Sequence, residues 1–166
     1  LVGCVLVMAG LSWAVIEKEV QLTNGGRIYL ELAPGDPRSL MQGDYMRLSY
    51  AIAAPANAAL NLSESTAASP RTGRLVLRVD EKGVGLFDRI DSPDRALGEG
   101  EVVLKFKHRK SFQIGAESFL FQEGTAGIFE QAKYGELSVD AEGAAVLIGL
   151  RDAQLNILGA SQRLHQ

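Results

Sequence analysis

Short runs in which apolar and polar residues alternate, each closed by glycine, proline or aspartate, recur along most of this chain. Successive side chains of an extended strand point to opposite faces, so such runs describe strands with one buried side. Ile28, Leu30 and Leu32 alternate with Tyr29 and Glu31 after the turn Asn24-Gly25-Gly26, and Ala33-Pro34-Gly35-Asp36-Pro37 ends that strand. A second strand is expected from Gly43-Asp44 through Tyr45 to about Ala53. Ala54 to Gly73 is rich in Ala, Ser and Asn and reads as a long surface loop with at most a weak helix. Asp80-Glu81-Lys82-Gly83 is turn chemistry between Leu75–Val79 and Val84–Phe87, which predicts a hairpin. Another loop covers Ser92 to Gly100, followed by a half-exposed strand through Val102, Leu104 and Phe106. Phe112 to Phe121 reads as a strand broken near Gly115, and Ile128, Phe129 and Ala132 share one face of a short helix. Gly135–Val139 and Ala144–Leu150, joined by Asp140 to Gly143, form a last hairpin.

These elements describe a mainly β fold: a small antiparallel domain of about seven or eight strands with one short helix. The 166 residues suffice for one ordinary core, and 18 glycines suit many turns between short elements. A formal net charge of -3 provides no basic field of the kind that gathers nucleic acid, so nucleic acid is not an expected partner. One cysteine, Cys4, precludes an internal disulfide, and two histidines preclude a multi-histidine metal site. No cofactor is expected.

Leu1 to Ile16, LVGCVLVMAGLSWAVI, carries no charge and stops at Glu17-Lys18-Glu19. As a helix it spans roughly 24 Å against a bilayer core of about 30 Å, and a few upstream residues complete a crossing. Trp13 lies where an indole meets the headgroup layer. The reading is an N-terminal transmembrane helix at 1–16, a β-rich domain outside the cytoplasm at 17–160 and a tail at 161–166. A buried helix and a removed signal-peptide core are the alternatives. Leu1-Val2-Gly3-Cys4 also mimics a lipoprotein processing site, but twelve further apolar or small residues follow instead of a polar linker.

Asp36 to Tyr50 reads DPRSLMQGDYMRLSY, in which Gly43, Asp44, Tyr45, Leu48 and Tyr50 fill every specified position of a GDYxxLxY motif. In this stretch, and in FLFQEG at Phe119 to Gly124, KYGELSV at Lys133 and LIGLRD ending at Asp152, the chain resembles the GDYXXLXY family of membrane-anchored bacterial proteins. That resemblance implies a single-pass protein of the inner membrane with its domain in the periplasm. It also implies gene neighbours that encode polytopic membrane proteins, and no particular mechanism. In an extended segment Leu48, Tyr50 and Ile52 point one way and Tyr45, Arg47 and Ser49 the other. Leu48 and Tyr50 therefore read as core anchors, with Gly43 serving the turn.

Leu40-Met41-Gln42-Gly43-Asp44 is also similar to the Leu-x-x-Gly-Asp segment of bacterial signal peptidases, but the nucleophile's place is taken by Gly35. Ser39 stands at the wrong spacing, and no lysine is marked as its base. Asp36, Asp44, Asp88, Asp91 and Asp94 do not pair on one element as acid/base carboxylates need to, and the loop positions suit solvated turn residues. Asp36, Arg38, Asp44, Tyr45 and Glu123 are the candidate functional residues, because they lie in the two most family-like stretches and an arginine there can hold an anion. Lys105, Lys107, His108, Arg109 and Lys110 form a basic cluster that suits either a solvated strand end or contact with anionic headgroups. The expected role is an interaction or accessory module for a partner in the inner membrane, with the bilayer contacted through the N-terminal helix. The rival is a small-ligand binder or enzyme with a polar cleft around the five candidates.

Overall fold

The computed structural model describes residues 26–34, 41–42, 45–60, 71–122 and 124–159. The expected anchor at 1–16 and the tail at 161–166 lie outside the described residues, as do Asp36, Arg38, Gly43, Asp44 and Glu123. Among the described residues no helix is long and apolar enough to cross a membrane. They form ten strands and two short helices, against the seven or eight strands and one helix expected.

The strands build three antiparallel sheets. In the first, β1 (Gly26–Glu31), β9 (Tyr134–Val139) and β10 (Ala145–Arg151) run in the order β1-β9-β10. The second contains β4 (Arg71–Val79), β5 (Gly85–Ile90), β6 (Glu101–His108) and β7 (Phe112–Gln113) in the order β5-β4-β6-β7. The third is small, with β2 (Met41–Gln42), β3 (Tyr45–Arg47) and β8 (Ser118–Leu120) in sequence order. One core joins them: Ile28, Leu30 and Leu137 from the first sheet meet Leu75, Leu77 and Leu104 from the second, while Met46 comes from the third.

Both expected hairpin turns form, and each is also tied to the opposite sheet. Asp80 accepts hydrogen bonds from the amides of Lys82 and Val84, both at 2.8 Å, and the carbonyl of Gly83 accepts from Tyr29 on β1 at 2.9 Å. At the other turn Asp140 accepts from Ala144 at 2.7 Å, and the carbonyl of Gly143 accepts from Lys105 on β6 at 2.7 Å. Gly143 has φ +88°, and a Cβ there would lie 2.8 Å from Val103 Cγ1. Only glycine meets both conditions without strain.

Three sequence expectations are corrected. The strand expected to run to about Ala53 ends at Arg47; Tyr50 retains only an isolated bridge to Leu32 before the chain turns into helix α1 (Ala53–Ala59). The run Ala53-Ala54-Pro55 favours this, since alanine is the best helix former and proline in the first turn forfeits no intrahelical bond. Part of the expected surface loop is thus α1, which lies against β5 and β7 and buries Ala56 completely, and another part, Arg71–Gly73, is the start of β4. Helix α2 (Ala126–Phe129) is a single turn that buries Phe129 but leaves Ile128 exposed. Phe129 is drawn in by Phe119 and Phe121, whose ring centroids lie 4.9 and 5.6 Å away, and one turn is too short to present a common apolar face. The expected break near Gly115 is present, separating β7 from β8.

Candidate functional site

The motif segment alternates as its pattern requires. Met46, Leu48, Tyr50 and Ile52 are buried, while Tyr45, Arg47 and Ser49 face outward. Its inner side fastens several parts of the fold. The Leu48 amide donates to the carbonyl of Glu117 at 2.7 Å, Ser49 accepts from Ala33 at 2.7 Å, and Ala51 donates to Glu31 at 2.9 Å. The Tyr50 hydroxyl donates to the carbonyl of Ala116 at 2.6 Å. Its ring lies over Gly135 of β9, where a Cβ would come within 3.1 Å of Tyr50 Cε1. Burial, reinforced by the Glu117 carboxylate, pushes the phenol well above its ordinary value. This tyrosine is a neutral structural bolt and not an acid or base at physiological pH. Glu117 is itself engaged by the amides of Ile114 and Gly115, the latter at 3.1 Å.

The outer side is composed differently. Antiparallel pairing of β3 with β8 sets Tyr45 opposite Leu120, Met46 opposite Phe119 and Arg47 opposite Ser118. The two most family-like stretches are therefore neighbours in one sheet. Leu120 is 79% exposed and Tyr45 is also exposed, so their cross-strand pair carries apolar surface into solvent. Such pairs are close enough to act as one patch. Of the five candidates, the described residues include Tyr45 alone. The register does place the start of β3, which Asp44 precedes, and the end of β8, which Glu123 follows at three residues, at the same end of the sheet. Behind the motif lies a small cavity of about 190 Å³ lined by Leu32, Met46, Leu48, Ser49, Phe129 and Lys133, among others.

Elsewhere the structure assembles two charged clusters that pattern reasoning did not find. Glu136 on β9 faces away from the core, yet its side chain is only 1% exposed. Arg151 donates to its Oε2 from Nη2 at 2.8 Å and from Nε at 3.0 Å, and the same guanidinium lies 5.6 Å from the centroid of Tyr29. Arg27 completes the group at 3.6 Å from Oε1. The sequence signal was Glu136 within KYGELSV and Arg151 within LIGLRD, but nothing local pairs them. The second cluster is Arg89, which grips Glu101 with two bonds of 2.7 and 2.9 Å and Asp88 at 2.8 Å. The Arg89 hydrogen bonds, helped by the Gly98 amide, hold Glu101 down at about 2. Asp88 and Asp91, expected in loops as solvated residues, are ion-paired: Asp88 within β5 with Arg78 and Arg89, and Asp91 with Arg74 at 2.9 Å. Of the basic cluster, His108 turns inward and is buried, while Lys105, Lys107, Arg109 and Lys110 stay exposed. Among the described residues no three metal-ligating side chains come together.

No curated protein and no solved structure matches the chain. The family described as GDYXXLXY protein matches it over residues 7–150, which takes in the motif sheet, the four-stranded sheet, the first sheet as far as Leu150 and the Tyr50–Gly135 contact. On that match, covering most of its length, the chain belongs to the GDYXXLXY family.

Proposed function

We propose that this protein is a membrane-tethered interaction or accessory module, held outside the cytoplasm by its N-terminal apolar segment, and that the motif sheet is the face it offers to a membrane-protein partner. The observation that carries the proposal is the Tyr45–Leu120 pair, an exposed apolar patch formed where the two family-like stretches meet. Among the described residues β8 is an edge strand of this sheet, and such an edge is a place where a partner strand can add. The uncharged run Leu1–Ile16 supports the tether, and the motif's inner side accounts for Leu48 and Tyr50 as architecture.

The test is a photoreactive amino acid at Leu120, activated in native membranes. A discrete adduct with one membrane protein is expected, absent when the same group replaces Leu86, an exposed leucine on β5. Equal adduct patterns from the two positions would sink the reading.

A second reading, a small-ligand or catalytic cleft around Asp36, Arg38, Asp44, Tyr45 and Glu123, draws on the shared sheet end from which the chain continues to Asp44 and Glu123. It predicts that Asp44→Asn and Glu123→Gln each abolish binding of a small ligand while leaving the Leu120 adduct intact.

A further inference from the structure

A groove of about 690 Å³ opens beside the β4–β6 ladder, with Gly73, Phe106, Ile114 and Ala145 along it. This volume falls within the range of pockets that hold small ligands. Its apolar wall is firmly built: Phe106 stacks on Phe112 at 5.2 Å between centroids, and its ring covers Gly73 so closely that a Cβ there would lie 2.9 Å away. Glu117 is the acid among the lining residues, and its carboxylate is already engaged by the amides of Ile114 and Gly115.

Positive charge lines this groove at Lys105 and Lys107 and continues past its Thr72–Lys107 end. The β4–β6 register sets Arg71 opposite His108 and Thr72 opposite Lys107, and β6 then runs into Arg109 and Lys110. Lys107 lines the groove at its Thr72 end, and Arg71, Arg109 and Lys110 follow just beyond it along the two strands. All four are exposed, and among the described residues none of them takes part in an ion pair. In contrast, Arg74, Arg78, Arg89 and Arg151 are each committed to a carboxylate. Uncommitted cations beside an apolar trough match a ligand with a hydrocarbon body and an anionic end.

We propose that this groove binds an anionic amphiphile of the fatty-acid type, its chain lying along Phe106, Ile114 and Ala145 and its carboxylate at the Arg71–Lys107 end. The site is separate from the motif sheet, and either assignment can fail without the other.

The experiment uses the full chain in phosphatidylcholine nanodiscs, irradiated with palmitic acid that carries a diazirine on its chain and then digested for mass spectrometry. Label is expected on peptides containing Ile114 and Ala145, displaced by unlabelled palmitic acid but not by hexadecanol. Lys107→Gln and Lys110→Gln are expected to lower that label on the order of fivefold per charge removed. Ala145→Leu, which narrows the groove, is expected to abolish it. Both lysines are exposed, so the glutamine variants leave the core untouched and keep the test decisive if Ala145→Leu does not fold. Label confined to other peptides, as from bilayer partitioning or surface attachment alone, overturns the proposal. Equal displacement by hexadecanol, or groove label indifferent to both lysines, does so as well.

Discussion

The hydroxyl of Tyr50 reaches the carbonyl oxygen of Ala116 at 2.6 Å across 66 residues of sequence, from a ring that rests on Gly135. The last tyrosine of the motif thus bolts the motif segment to the turn before β8 and to the central strand of the first sheet. Tyr50→Phe keeps the ring and leaves a buried carbonyl without its donor, which costs about 1–3 kcal/mol. Gly135→Ala adds a Cβ 3.1 Å from the ring and 3.3 Å from the hydroxyl, and is expected to destabilise as well. Because these sites touch, the double variant should lose less than the sum of the single losses; urea unfolding of the four proteins measures the coupling.

The raised ionisation of Tyr50 sets an alkaline limit. Its folded-state value lies above the unfolded value of about 10, so its contribution to stability is fully present below that pH and is lost as pH rises beyond it. Unfolding free energy should therefore fall above about pH 10 in the wild type, with a shallower fall in Tyr50→Phe. Identical slopes in both proteins would show that the phenol is not buried as described.

Glu101 sets an acid limit of opposite sign. Held at about 2 by Arg89, it sits below an unfolded value of about 4.3, so its contribution is present above that value and is lost as pH falls toward 2. Thermal melts between pH 5 and 2 should show a steeper loss for the wild type than for Glu101→Gln. Arg89→Lys should resemble the Gln variant, because a lysine cannot reproduce the two-pronged contact.

The covered carboxylate of Glu136 depends on Arg151. Arg151→Met should cost about 3–5 kcal/mol, because it leaves a buried charge with Arg27 alone at 3.6 Å. Combining it with Glu136→Leu should recover most of that loss. Chemical denaturation of the single and double variants tests both expectations.

Leu120→Glu separates folding from recognition. The side chain is largely in solvent, so its replacement should change stability by no more than about 0.5 kcal/mol. If the motif sheet is the contact face, the same change should abolish recovery of the membrane partner in a pull-down, whereas Leu86→Glu should not.

Face alternation in the motif was legible because it depends on the two-residue period of extended backbone. It assigned Leu48 and Tyr50 inward and Tyr45 outward before any partner was known. The hairpin turns at Asp80–Gly83 and Asp140–Gly143 were legible for the same kind of reason, since an aspartate that bonds nearby amides and a glycine that accepts positive φ act within four residues. The candidate cleft was not legible at that level. Its charged members were chosen by their presence in family-like stretches, and no local rule joins Asp44 to Glu123.

What the sequence determined by itself is therefore local: the two aspartate turns with the strands they join, which face of the motif segment is apolar, and where an uncharged segment precedes the domain. Tertiary structure decided the rest. It made β9 a central strand covered on both sides, so that Glu136 needed Arg151, and it drew part of an Ala-rich stretch into α1 against β5 and β7. It also set Tyr45 beside Leu120, and Tyr50 against Ala116 and Gly135. Local elements follow from backbone stereochemistry, which each residue carries with it, whereas these contacts join distant segments and exist only once a shared core outweighs the entropy of closing the loops between them.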